Sequence, residues 1–337
     1  MMSYKNRLVI IDADSLIYIV GSELADMQLE PLGIIKIDEF ISSILEATGA
    51  QNYLGFLGGG EGCVNFRKKV AFTKEYKGQR KEKPEWFEFW SPILIDHMVS
   101  HWGFHLCGNI EADDACHIAN NAYKNKYEKV IIASPDKDLF QISDAFFYDY
   151  NKRYHAYCSE TVAIQKHCVQ LITGDSTDNI PGCAGAGPKA AAEVGDIIAK
   201  EGLDRNKALF EVYKFYQNWY RKVLRDKEVG KQEKAFLDKY KADNNIKVLK
   251  QQVKSDALKD FVPDESSILT EEQVKALFRE QYALITLLGT EEEGKRHGFT
   301  LPAPKINTTI DWDSILEYDN DMDLAPEEQM FDFEDDL

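Results

Sequence analysis

Residues 8–14 read LVIIDAD, an apolar run that closes on Asp12 and Asp14. A short, β-branched run of this kind reads as a buried strand, and its carboxyl end delivers the two acids. Four more acidic clusters follow at turns or element ends: GGGEG (Glu61), EADD (Glu111, Asp113, Asp114), SPDKD (Asp136, Asp138) and GDSTD (Asp175, Asp178). Asn52–Gly58, Phe104–Cys107 and Lys129–Ser134 also read as strands. Helical patterns over Ser15–Asp26, Asp38–Thr48, Glu85–His101 and Asp113–Tyr127 separate them. This alternation predicts an α/β fold, a central, mostly parallel sheet flanked by helices. Asp12, Glu61 and Asp136 fall just past predicted strand ends, the edge where open α/β sheets place ligands.

Carboxylates gathered in one cavity repel each other, so a fold that concentrates them needs cations. Hard oxygen ligands suit Mg²⁺ or Mn²⁺, and two such ions can clamp the attacking and leaving oxygens of a phosphodiester. EADD opens a helix, where acids commonly just complement the helix dipole. Three carboxylates in four residues exceed what capping requires, which favours ligands. Asp136 alone reads as an ordinary helix cap. Its Asp-x-Asp spacing with Asp138, directly after a strand, favours a ligand role for both.

The net charge of −17 argues against nucleic acid until its distribution is read. Of 57 Asp/Glu, 12 lie in residues 306–337, a stretch with no Lys/Arg, which leaves 45 acids against 40 bases. Setting aside the ten clustered carboxylates leaves 35 acids against those 40 bases. Val64–Lys83 alone holds eight Lys/Arg against two Glu, enough to release several counterions from a nucleic acid. The six cysteines are scattered without a CxxC pair, as reduced core thiols would be. No run of about 18 apolar residues occurs, nor a signal-peptide pattern, so a cytoplasmic protein with no membrane contact is expected.

After Ser159 the pattern turns helical: Thr161–Thr173, Pro188–Lys200, and further helices within 203–243 and 270–289. The connector GDSTDNIPGCAGAGPK resembles a P-loop superficially, but Pro188 stands where that motif needs lysine and no Ser/Thr follows Lys189. Gly182, Gly185 and Gly187 instead permit a tight turn whose N–H groups meet a phosphate at a helix N-terminus, with Lys189 alongside. His97, His101 and His105 recur every fourth residue, yet the third falls in a predicted strand and HExxH is absent. Ordinary surface or core histidines are expected there. LPAPKINTT (301–309) reads as a linker, followed by an acidic, disordered tail carrying Trp312, Phe331 and Phe333. Such a tail can dock on a basic, apolar-pocketed replication partner.

Together these residues resemble the structure-specific 5′ nuclease family: flap endonucleases, the 5′ nuclease domain of bacterial DNA polymerase I, and phage 5′→3′ exonucleases. VIIDADSLIY is similar to its N-terminal strand, NFRKKVAFTKEYKGQR to its Phe-Arg segment followed by Tyr-Lys-Gly-x-Arg, and GCAGAGPK to its helix–three-turn–helix element. The resemblance implies a Mg²⁺-dependent enzyme with two ions, Mn²⁺ substituting, that hydrolyses DNA, and RNA in hybrids, at 5′ ends or flaps. It assigns Asp12, Glu61, Glu111, Asp113, Asp114, Asp136, Asp138, Asp175 and Asp178 to metal. Lys77 and Arg80 join Asp12, Asp113 and Asp136 in catalysis. Arg67, Tyr76, Gly182, Gly185, Gly187 and Lys189 contact DNA. Glu61 departs from the family, which carries an aspartate nearer the Phe-Arg pair.

The implied organisation is a nuclease core over 1–158 with a helical arch at about 64–90, and a helical region over 159–300. The latter holds the duplex clamp at about 170–200 and is followed by linker and tail over 301–337. A monomer in the host cytoplasm during phage replication is the matching expectation. Two rivals stand beside it: a PIN-type ribonuclease, which lacks the glycine clamp, and a non-catalytic accessory that binds branched DNA. The near-complete set of carboxylates speaks against the accessory.

Overall fold

The computed structural model describes residues 6–60, 62–264 and 269–308. Its elements in chain order are β1 (Arg7–Asp12), α1 (Asp14–Glu23), α2 (Glu30–Thr48), β2 (Asn52–Leu57), α3 (Arg67–Val70), α4 (Glu85–Ser100), β3 (His105–Leu106), α5 (Ala112–Tyr123), β4 (Lys129–Ala133), β5 (Ala145–Asp149) and β6 (Tyr154–Cys158). The helical part follows with α6 (Glu160–Thr173), α7 (Pro188–Glu201), α8 (Arg205–Asn218), α9 (Leu224–Asp243), α10 (Gln251–Ala257), α11 (Glu271–Ile285) and α12 (Glu291–Arg296), then β7 (Lys305–Ile306).

The sheet runs β3-β2-β1-β4-β5-β6, parallel from β3 to β5 and closed by the antiparallel β5–β6 hairpin. β1 sits at its centre, paired with β2 on one side and β4 on the other. Because successive side chains alternate faces, Val9 and Ile11 pack into the layer under α1, α2 and α4, while Leu8 and Ile10 pack against α5. Gly33 on α2 lets that helix lie flush on α4, for a Cβ there would come within 2.2 Å of the Trp90 ring. A third apolar cluster joins α6, α7, α8 and α11, and Tyr76 is part of it.

Two expectations are corrected here. The stretch 301–309 is no linker in its described part, since β7 pairs antiparallel with Asn52 and Tyr53 of β2 and Asn307 is buried. The basic stretch forms no helical arch either: apart from the four-residue α3 it is irregular until α4 begins at Glu85. Residues 75–80 instead rest on the 175–180 turn, with the Lys77 N–H donating to Asp178 O at 2.8 Å and Asn179 Nδ2 donating to Glu75 O at 2.9 Å. The acidic tail and Glu61 lie outside the described residues.

Candidate active site

The acids converge because parallel strands end at one edge of the sheet. Asp12 is the last residue of β1 and is buried, and its Oδ2 accepts from Ser134 Oγ, just past β4, at 2.8 Å. Asp14 opens α1, where its Oδ1 accepts from Gly58 N–H at 2.8 Å, at the end of β2. Glu111 and Asp113 come from the start of α5, Asp136 and Asp138 from the turn after β4, and Asp175 and Asp178 from the turn after α6. Asp136 does cap the short 3₁₀ turn that follows it, accepting from Asp138 N–H at 2.8 Å.

These carboxylates feel one another as a connected chain. Burial, then Asp14 and Asp136, pushes the Asp12 carboxyl up to about 7, against the Ser134 hydrogen bond. Asp113 is raised well above the usual carboxylate range by burial, then by Asp12, Asp136 and Glu111. Burial raises Asp136, opposed by the Asp138 N–H, and Asp175 and Asp178 raise it further. Burial, Asp136 and Asp175 carry Asp138 to about 7. Asp14 is raised by burial and by Glu111. The eight acids from Asp12 to Asp178 thus share one anionic pocket.

Cations of the basic stretch reach into its rim. Lys77 Nζ meets Glu111 Oε1 and lies 3.5 Å from Asp178 Oδ2, while Arg80 Nη2 lies 2.8 Å from Asp178 Oδ1. Lys77 takes a left-handed backbone, φ 60°, which turns the chain so that both Lys77 and Arg80 face the acids.

Four of the assigned residues are engaged inside the fold. Arg67 is turned inward. It is 1% exposed, grips Asp114 with two bonds of 2.6 and 2.8 Å, and donates to the carbonyls of Leu284 and Thr286. Asp114 is correspondingly no free metal ligand. Besides Arg67 it accepts from the Leu288 and Glu111 N–H groups, and against burial, which raises its pKa, Arg67 and those two N–H groups together hold it below the ordinary value. Tyr76 is buried, its hydroxyl donating to Glu111 Oε2 at 2.7 Å and placed 3.0 Å from Asp178 Oδ2, so its ring is not offered to a base. Gly182 spends its N–H on Gln281 Oε1 at 2.9 Å, inside the fold.

Gly185 and Gly187, with φ of 81° and 67°, face open space at the start of α7, and Lys189 is exposed beside them. Asp14, Ser134 and Gln170 were not read as site residues. Gln170 on α6 donates to Asp138 Oδ1 at 3.1 Å. The DAD spacing carried a signal for Asp14, whereas nothing local marks Gln170.

All donors in the pocket are carboxylate oxygens, which suits hard divalent cations. Among the described residues no three of these carboxylates bring ligand atoms within 4.8 Å of one another. The pocket is therefore wider than a closed cage, leaving room for water and phosphate oxygens. Mg²⁺ keeps several such ligands when it binds through only a few carboxylates.

Residues 7–167 match the family model described as 5'-3' exonuclease, N-terminal resolvase-like domain. The chain is similar to a 5'-3' exonuclease of Aquifex aeolicus, 27% identical over 231 residues that cover 63% of this chain and 78% of that protein. It is also similar to flap endonuclease Xni of a Shewanella species, 33% identical over 140 residues, 39% of this chain and 53% of that protein. The chain thus spans about half the length of the Shewanella relative. The flap endonuclease of bacteriophage T5, co-crystallised with metal ions, shares the fold with a TM-score of 0.54 and 15% identity over 86% of this chain and 96% of that one.

A central parallel sheet with an oxygen-rich acidic pocket at its carboxyl edge and lysine and arginine at the rim suits metal-assisted hydrolysis of phosphodiesters. The glycine turn and the helices behind it narrow the class further. Through residues 7–167 the chain is similar to the 5′→3′ exonucleases and flap endonucleases.

Proposed function

We propose that this protein hydrolyses DNA from or near 5′ ends with Mg²⁺ as its cation, and that it also removes RNA from RNA–DNA hybrids, as primer removal during phage replication requires. The observation that carries the reading is the single pocket at the carboxyl edge of the sheet, in which Asp12, Asp14, Asp113, Asp136 and Asp138 are all raised by burial and by neighbouring carboxylates. Asp12, Asp113, Asp136 and Glu111 would hold one divalent ion, and Asp138, Asp175 and Asp178 a second. When bound, such ions neutralise the pocket and polarise the phosphodiester toward attack by water.

The chain's own groups supply the rest. Ser134 and Gln170 fix the carboxylates of Asp12 and Asp138 through single hydrogen bonds, so the donor set is oriented before any ligand arrives. Lys77 and Arg80, fixed cations at the rim, would meet the negative charge that grows on the phosphoryl oxygens during cleavage. Both now lie against Glu111 and Asp178, so they must exchange those partners for the phosphate. The exposed N-terminus of α7, with Gly185, Gly187 and Lys189, would hold the duplex backbone without reading bases. The bacteriophage T5 flap endonuclease has been solved as a pseudo-enzyme-product complex with DNA and metal ions, with a TM-score of 0.52, which supports the same use of this fold.

The test is cleavage of 5′-labelled duplex, flap and hybrid substrates in Mg²⁺ or EDTA, with Asp175→Ala as the variant. Cleavage in Mg²⁺ alone, lost in Asp175→Ala while DNA binding persists, is the expected result. Unchanged turnover by Asp175→Ala would remove that residue from the metal set, and cleavage in EDTA would refute the cation requirement. Cleavage of RNA alone would favour a PIN-type ribonuclease.

A further inference from the structure

We propose a second metal site, separate from the acidic pocket, in which Asp38, His97 and His101 bind a transition-metal cation of the Zn²⁺ type. Asp38 belongs to α2 and His97 to α4, and His101 caps the end of α4. Residues four apart on a helix share a face, and here the two imidazoles lie parallel, their centroids 4.9 Å apart with 11° between planes. The neighbouring helix brings the carboxylate to them: Asp38 Oδ1 lies 2.7 Å from His97 Nε2. One ligand atom from each of the three residues falls within 4.8 Å of the other two. A tetrahedral zinc ion with bonds of about 2.0–2.1 Å needs its ligand atoms about 3.3 Å apart, so Asp38 and His97 part slightly and the stacked imidazoles turn toward a common point to admit the ion.

Two features fit a ligand set better than a plain hydrogen-bonded pair. Trp102 Nε1–H also donates to Asp38 Oδ1, at 2.7 Å, and so holds the carboxylate toward the imidazoles. Partners that orient ligands in this way are typical around bound metal. Asp38 and His97 are half-buried while His101 is exposed, which leaves a route for the ion and an open fourth position for water. Two nitrogens and one oxygen suit zinc, whereas the all-oxygen pocket suits magnesium. The site also lies toward the other edge of the sheet: Trp102 O accepts from the hydroxyl of Tyr53, near the amino end of β2, at 3.0 Å. An ion here would tie α2 to the end of α4. Helical spacing alone hid this site, because His105 departs into β3 and the third ligand comes from a different helix.

The experiment is equilibrium dialysis of the full chain against micromolar Zn²⁺ in excess Mg²⁺, which keeps the oxygen pocket occupied, with metal per chain measured for wild type, His101→Ala and Asp38→Asn. The expected result is about one zinc more per wild-type chain than in either variant, and a zinc-dependent rise in melting temperature only in wild type. Mg²⁺-dependent nuclease activity should be equal in all three, which reports that the variants fold. Equal zinc content in wild type and the folded variants would overturn the proposal.

Discussion

Replacing Arg67 by alanine separates a structural arginine from a DNA-binding one. The side chain is 1% exposed and bonds to both oxygens of Asp114 and to two backbone carbonyls. Its removal leaves a fully buried carboxylate with no counterion, a loss of about 3–5 kcal/mol for a broken buried pair. Urea unfolding followed by circular dichroism should therefore show the midpoint of Arg67→Ala falling sharply. Adding Asp114→Asn should return roughly 1–2 kcal/mol, because it removes the stranded charge, although the Leu288 and Glu111 N–H groups then share a poorer acceptor. A cation that served only the nucleic acid would behave otherwise: stability within about 0.5 kcal/mol of wild type, as for ordinary surface substitutions, with DNA affinity lost. That pair of results would refute the structural role.

Metal-free protein should lose stability as pH rises from about 4 through about 7, since Asp12 and Asp138 are raised from 3.8 to about 7 and favour the folded state only while protonated. Each contributes a slope of up to about 1.4 kcal/mol per pH unit, so melting temperatures in EDTA should fall over this range and flatten in Mg²⁺; a rise with pH in EDTA would contradict the linkage. Gly182→Ala should destabilise by about 4 kcal/mol or more, because a Cβ there meets Gly174 N at 2.3 Å and Ile172 O at 2.5 Å. Gly185→Ala meets open space and should cost only the roughly 1–2 kcal/mol of its left-handed backbone, so equal thermal shifts for the two would dissolve the distinction. Lys189→Ala should weaken binding to all duplex sequences alike and reduce the salt slope by about one, measured by anisotropy between 50 and 200 mM salt.

What the sequence made legible follows from how locally each feature is encoded. The four predicted strands are legible because each is an apolar run bounded by turns, and the acids after β1 and β4 mark one edge of the sheet directly, whereas the order of the strands within the sheet is not legible. The β5–β6 hairpin was missed: AFFYD and YHAYC carry aromatics on a half-exposed edge, and the turn between them, with Arg153 at φ 57°, lacks the usual glycine. β7 is two residues long and exists only because Asn52 and Tyr53 offer an edge.

The roles within the basic stretch were the hardest to read, for a physical reason. Arg67, Lys77 and Arg80 look alike as charges, and what distinguishes them is their distance from water. Arg67 sits beside Phe66, which stacks on His297 at 4.2 Å, and α3 points it inward at Asp114, 47 residues further along the chain. Lys77 and Arg80 follow the irregular stretch that carries the chain back out over the acids. One segment therefore supplies both the buried counterion that fixes the first turn of α5 and the cations at the rim of the acidic pocket. Since Asp114 accepts from the Glu111 N–H and Glu111 meets Lys77, the buried pair also sets where the rim lysine stands. Sequence spacing could not show this division, because burial decides it and burial is settled by the whole fold.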